Sequence, residues 1–204
     1  MKKYDVESKL QIERELLAQG YKYICGVDEV GRGPLAGPVV CAAVIMPLDA
    51  IIEGIDDSKK LSAKRREELS ALIRKNAVAC HICRVEPQKI DEINILEATK
   101  LCMKEAVEGL CVAPDIVITD GNMTLDISLP QRSFIKGDAK SYTIGAASIA
   151  AKVYRDKLME EYAALYPQYG FERNAGYGTA AHIEAIKEYG LCPIHRRSFT
   201  QKWQ

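Results

Sequence analysis

CGVDEVGRGPLAGPVVCAAV, residues 25–44, holds two apolar runs joined by a glycine-rich turn. With their flanks, YKYICGVDE (21–29) and PVVCAAVIMP (38–47) are rich in β-formers, and each reads as a strand, the second closed by Pro47. The GRGPLAG between them (31–37) admits a dinucleotide-binding reading, but that fingerprint needs its glycines to open a helix. Here Pro34 and Pro38 flank a run that leads into another strand. A loop whose backbone comes close to a ligand is the better reading, because glycine lacks the Cβ that would block contact. Arg32, in its midst, is a candidate phosphate contact.

The first strand stays apolar until Asp28 and Glu29 end it. Two adjacent buried acids are costly unless a cation or hydrogen-bond donors compensate them. A solvated strand end is the plain alternative. Successive strand residues point to opposite faces, so a bulge or the strand's end must reconcile the pair if both aim at one site.

Two later segments repeat the pattern. DIVIT (115–119) is a short apolar run before Asp120 and Gly121, and SFIKGD (133–138), which overlaps a short strand expected over 132–136, ends in Asp138. Three strand-like segments, each ending in a carboxylate, are how an α/β sheet builds a site at one edge. Hard oxygen donors suit Mg²⁺ or Mn²⁺, and such ions take further ligands from a substrate phosphate. A phosphodiester substrate is therefore expected, with one ion bound without substrate and two with it, orienting water and neutralising the leaving oxygen.

Helical spacing predicts helices over 5–18, 62–75 (Ser62 as N-cap), 87–110 (Pro87 near its start, Gly109 near its end), 141–166 (stopped by Pro167) and 179–189. A further strand is expected over 77–85. Gly145, Ala146, Ala147, Ser148, Ala150 and Ala151 are small residues that let the long helix lie close to the sheet. The order implies one α/β domain over 1–204 whose mixed sheet has antiparallel first strands and then parallel ones, flanked by helices. A C-terminal helical and basic segment, about 179–204, is assigned to substrate binding.

With 204 residues, 48% hydrophobic and 27% charged, the chain is an ordinary globular one, and no stretch approaches the roughly 20 apolar residues of a membrane span. The N-terminal lysines precede an acidic amphipathic pattern rather than a signal peptide's apolar core, so a cytoplasmic protein is expected. A monomer is expected, though no residue pattern argues for it. Seven cysteines, among them Cys25, Cys41, Cys102 and Cys111 in apolar segments, read as reduced thiols. Cys80, His81 and Cys83 lack the second ligand pair that zinc needs. The 28 basic and 28 acidic side chains cancel. Lys59, Lys60, Lys64, Arg65 and Arg66 form one local cluster, and His195, Arg196, Arg197 and Lys202 another; solvated faces are the commoner meaning of both.

Taken together, CGVDEVGRGPLAGPVVCAAV (25–44), DDSKKLS (56–62), ITDGN (118–122), IKGDAKSYTIGAASIAAKVYRD (135–156) and YPQYGFERNAGYGTAAHIEAIKEYGLCPIHRRSF (166–199) resemble bacterial ribonuclease HII, in the family's order. The resemblance implies a ribonuclease H-like fold and cleavage of RNA/DNA hybrids and of duplex DNA carrying single ribonucleotides, leaving 3′-hydroxyl and 5′-phosphate ends. It makes Asp28, Glu29, Asp120 and Asp138 the active-site carboxylates. Gly31, Arg32 and Gly33 match the loop that senses the 2′-hydroxyl at the RNA to DNA junction, the group that tells RNA from DNA. Tyr177 matches an aromatic packed at that junction, and Lys59 is a candidate contact to a substrate phosphate. The related type HIII differs in its loop and carries a long N-terminal extension, whereas about twenty residues precede the first strand here. Asp156, beside Arg155, competes with Asp138 for the fourth carboxylate but reads as a surface ion-pair partner. A DNA resolvase of similar fold and a non-catalytic nucleic-acid module are the other readings.

Overall fold

Strands β1 (Ile24–Val30) and β2 (Val39–Ile45) form the centre of the sheet in the computed structural model, which describes residues 6–203. They pair antiparallel in unbroken register from Cys25 opposite Ile45 to Val30 opposite Val40. β3 (Ala79–Val85) adds antiparallel to β2. β4 (Ile116–Asp120) joins the other side of β1 in parallel, and β5 (Gln131–Phe134) runs parallel to β4. The order is β3-β2-β1-β4-β5, the expected mixed sheet.

Helices cover both faces. α3 (Ala63–Asn76) starts at the predicted cap, where Ser62 Oγ accepts from Arg65 N–H. α4 (Pro87–Glu108) is broken at Asn94, whose φ is 69° and whose side-chain oxygen accepts from Leu96 N–H and Glu97 N–H to start the second half. α6 (Tyr142–Leu165) and α8 (Ala180–Tyr189) lie where expected. The helix predicted over 5–18 is two, α1 (Val6–Lys9) and α2 (Gln11–Ala18). Asp5, like Lys2, Lys3 and Gln204, lies outside the described residues. Three four-residue turns, α5 (Gly137–Lys140), α7 (Phe171–Asn174) and α9 (Arg197–Thr200), were not visible in the sequence.

β2 is buried along its whole length because α4 packs on one face of the sheet and α3 and α6 on the other. Cys25, Val27 and Cys41 meet Ala98, Cys102 and Met103 of α4, while Val40 and Ala42 meet Ala146 and Ala150 of α6. Burying a residue such as Val27 contributes roughly 1.5–3 kcal/mol. Gly26 decides how close α6 comes. A Cβ there would stand 2.5 Å from the carbonyl oxygen of Thr143, so only glycine lets β1 and α6 touch backbone to backbone. A smaller core under the C-terminal segment joins Leu35 and Met159 to Tyr169, Phe171, Ile186 and Ile194. Cys111, read as a packed thiol, is instead exposed. No helix among the described residues is long and apolar enough to cross a membrane.

Candidate active site

Asp28 and Glu29 sit in regular strand, opposite Ala42 and Cys41, with no bulge between them. They therefore leave β1 on opposite faces. Asp28 is on the α6 face, where its carboxylate takes a hydrogen bond from Ser148 and accepts from the N–H of Glu29 at 2.8 Å. Glu29 is on the α4 face with Cys25 and Val27, and its Oε1 lies 3.4 Å from Arg32 Nη1. Ser148, read only as a packing residue, is thus a neighbour of the acidic pair, bonded also to Ser58 Oγ at 3.0 Å.

Asp120 ends β4 as predicted, and its Oδ1 accepts from Gly137 N–H at 2.6 Å. Asp138 does not end a strand. β5 stops at Phe134, Lys136 takes a left-handed conformation (φ 58°), and Asp138 follows in the first turn of α5. It is nearly buried, with Lys59 Nζ 3.8 Å from its Oδ2.

Electrostatics bind the four acids into one system. Burial, then the charge of Glu29, pushes the Asp28 carboxyl well above the usual range, with Asp120 adding to it. Burial raises Glu29 against the opposing pull of Arg32. Burial, with Asp120 and Asp57 nearby, raises Asp138 despite Lys59. Each acid has turned to a different local partner, and among the described residues no three His, Cys, Asp or Glu side chains stand close enough to hold a metal ion. The donor set nevertheless suits a hard cation: it is all carboxylate, short of positive charge, and Glu29 Oε2 is buried with no hydrogen-bond partner.

The glycine loop has its own explanation. A Cβ on Gly31 (φ 95°) would stand 2.8 Å from both Arg155 Cδ and Pro38 O, and one on Gly37 (φ 85°) would stand 2.6 Å from Met159 Sδ. These two glycines yield space to the protein's own interior rather than to a ligand. Gly33 differs: it is exposed, and the nearest atom to a Cβ there would be Tyr177 Cε1 at 3.6 Å. The loop and the Tyr177 turn are also joined by Gly176 O, which accepts from Leu35 N–H at 2.8 Å and from Ala36 N–H at 3.3 Å.

Asp156 is an ion-pair partner, as read, but of Lys152 and, at 3.5 Å, of Arg66 rather than of the adjacent Arg155. One reading of charged residues needs correction. The C-terminal basic cluster is not a solvated face, because His195 and Arg196 are buried. Arg155 Nε donates to Pro38 O (3.1 Å), Nη1 to Ala175 O (2.9 Å) and Nη2 to Ala36 O (3.1 Å). Arg196 donates to Gly31 O (2.5 Å), Arg32 O (2.9 Å) and twice to Gly37 O (3.0 and 2.8 Å). Burial, and then Arg155, pulls the Arg196 guanidinium down to about 9.

A sequence model of the family described as Ribonuclease HII matches residues 25–202. The ribonuclease HII of Caldicellulosiruptor saccharolyticus is 54% identical over 193 residues, covering 95% of this chain and 94% of its own. The crystal structure of the ribonuclease H2 from Pyrococcus horikoshii OT3 superposes with a TM-score of 0.75 at 29% identity, covering 89% of this chain and 96% of that one. Bst-RNase HIII, solved in complex with Mn²⁺, shares the fold (TM-score 0.66, 19% identity, 81% and 61% covered). The chain therefore belongs to the ribonuclease HII family, ribonuclease H hydrolases that degrade the RNA of RNA/DNA hybrids.

Proposed function

We propose that this enzyme cuts at single ribonucleotides embedded in duplex DNA as well as in longer hybrids, by metal-assisted in-line attack of water that leaves 3′-hydroxyl and 5′-phosphate ends. The observation that carries the reading is Glu29 Oε2, a buried acceptor without a partner on an acid already raised by burial. An oxygen so placed is costly until a cation meets it. Asp28, Glu29, Asp120 and Asp138 would hold Mg²⁺ or Mn²⁺. When bound, such ions lower the pKa of water and neutralise charge on the phosphate. The chain's own residues select and orient the substrate. Gly31, Arg32 and Gly33 lie along the ribose of the scissile junction, Tyr177 packs its ring at the same step, and Arg32 and Lys59 face phosphates. The same reading has the enzyme act as a monomer in the cytoplasm, which light scattering and cell fractionation check.

A labelled DNA duplex with one ribonucleotide, incubated with Mg²⁺ or Mn²⁺ beside an all-DNA control, tests the proposal. Cleavage is expected only where the ribonucleotide is present, with a 3′ end that a polymerase extends directly. Equal cutting of the all-DNA control would overturn it.

A further inference from the structure

Arg155 and Arg196 are fully buried arginines whose guanidinium groups turn to main-chain carbonyls. A buried cation is costly, and carbonyl dipoles compensate it only if they are held pointing at it. The carbonyls so held belong to Gly31, Arg32, Ala36, Gly37 and Pro38, which is the glycine loop itself, and to Ala175, two residues before Tyr177.

The peptide bonds here are trans. In a trans peptide the C=O and the following N–H point in opposite directions. Turning Gly31 O and Arg32 O inward onto Arg196 therefore turns the N–H groups of Arg32 and Gly33 outward. Both residues are exposed, and among the described residues neither N–H donates to a protein group. Two adjacent outward N–H groups, backed by two buried positive charges, form a donor site for a hydroxyl or phosphate oxygen.

Resting on the function proposed above, we infer that Arg196, assisted by Arg155, is a positioning residue that sets the preference for a 2′-hydroxyl by fixing which way the Gly31–Gly33 peptides face. Neither guanidinium reaches the substrate. Each acts through the loop from behind, and a lysine, with one ammonium in place of a fork, cannot span Gly31, Arg32 and Gly37 together. Phe199 supports the fork, its ring centroid 5.2 Å from the guanidinium carbon of Arg196.

The test compares the KM of a duplex carrying one ribonucleotide with the inhibition constant of an all-DNA duplex of the same sequence, using the full chain with Mn²⁺. In the unaltered protein the all-DNA duplex should inhibit much more weakly than the ribonucleotide duplex binds. Arg196→Lys should shrink that ratio about tenfold, chiefly through KM, since the hydrogen bonds to the hydroxyl are what is lost. A purely structural role would lower the active fraction and leave the ratio alone. If Arg196→Lys does not fold, Phe199→Leu, which keeps the arginine but frees its fork, should give a smaller shift in the same direction. An unchanged ratio in a folded Arg196→Lys, or in Phe199→Leu where Arg196→Lys fails to fold, overturns the inference alone. A ratio near one in the unaltered protein overturns the proposed function and this inference with it.

Discussion

The Nε2 atoms of His182 and His195 lie 3.0 Å apart inside the C-terminal core, so one imidazole donates and the other accepts. Nδ1 of His182 is tied to Tyr177 O at 2.9 Å, which links the pair to the turn bearing the exposed tyrosine. Two protonated rings cannot occupy this arrangement.

The pair should make the fold sensitive to acid. Burial, and then His182, lowers His195 to about 4, against about 6.5 for an unfolded histidine. Protons are then taken up on unfolding, so this stabilisation is complete above about pH 6.5 and is lost as pH falls towards 4. The full difference is about 3 kcal/mol. In urea titrations His195→Asn should be less stable than the unaltered protein at pH 7.5, with the gap narrowing at pH 5. A gap of constant size would contradict the linkage.

The acids of β1 work in the other direction. A carboxyl raised by folding binds its proton more tightly in the folded state, so Asp28 and Glu29 weaken the fold as pH climbs through their raised values. Asp28→Asn should abolish cleavage yet raise the metal-free Tm at pH 8, by roughly 2–4 °C for each kcal/mol relieved. Mn²⁺ should raise the Tm of the unaltered protein more at pH 8 than at pH 5, and that increment should shrink in the variant. Thermal melts with and without metal read all three.

Asp138 and Asp156 are distinguished by their partners. Asp138, whose counter-ion Lys59 is 80% exposed and 3.8 Å away, belongs with the acids, whereas Asp156 already satisfies Lys152 and Arg66. Asp138→Asn is expected to cost at least a hundredfold in kcat, within the range seen when one group stabilising transition-state charge is removed. Asp156→Asn should cost stability with little change in kcat. Steady-state rates of the two purified variants decide, and a reversed order would reassign the fourth carboxylate.

Lys59 is free to swing from Asp138 to a phosphate. Lys59→Ala should weaken binding to every duplex alike and make the dependence of log K on log salt shallower by about 1. Binding isotherms at several salt concentrations give the slope directly.

Gly26→Ala should be the most damaging single methyl on the sheet, because its neighbours are backbone atoms of Thr143 and Ile144, which cannot rotate away. Overpacking of this kind costs about 3 kcal/mol. A melt should show Tm lower by roughly 6–12 °C, and an unchanged Tm would mean that α6 can slide on β1.

The sheet and the positions of three candidate acids on its strands are legible in the sequence because their signals are local. Asp28, Glu29 and Asp120 end apolar runs of strand length, which a periodicity reading detects. The setting of Asp138 is not legible, since nothing marks Lys136 as the non-glycine residue that turns left-handed and starts a helix there. Arg155 and Arg196 were misread for a physical reason. An arginine beside Asp156 looks like an ion pair, and one in HRRSF looks like a basic patch, while the loop carbonyls that hold them, from Gly31 to Pro38, lie more than a hundred positions away in sequence. Ser148 was hidden by its neighbours: among glycine and alanines, a serine passes for packing. Asn94 carried a usable signal, as a residue type that tolerates positive φ and caps helices, but sustained periodicity on both sides concealed it.

The carbonyl clamp also sets a timetable for the nascent chain. Arg196 is translated 165 positions after Gly31, and the bridge between Ala36 and His195 joins the same two distant stretches. The central strands and their acids can assemble on the ribosome while this loop still lacks its inner partner. A chain made only as far as β4 thus holds Asp28, Glu29 and Asp120 in place while the Gly31–Gly37 loop still waits for the guanidinium that turns its carbonyls inward.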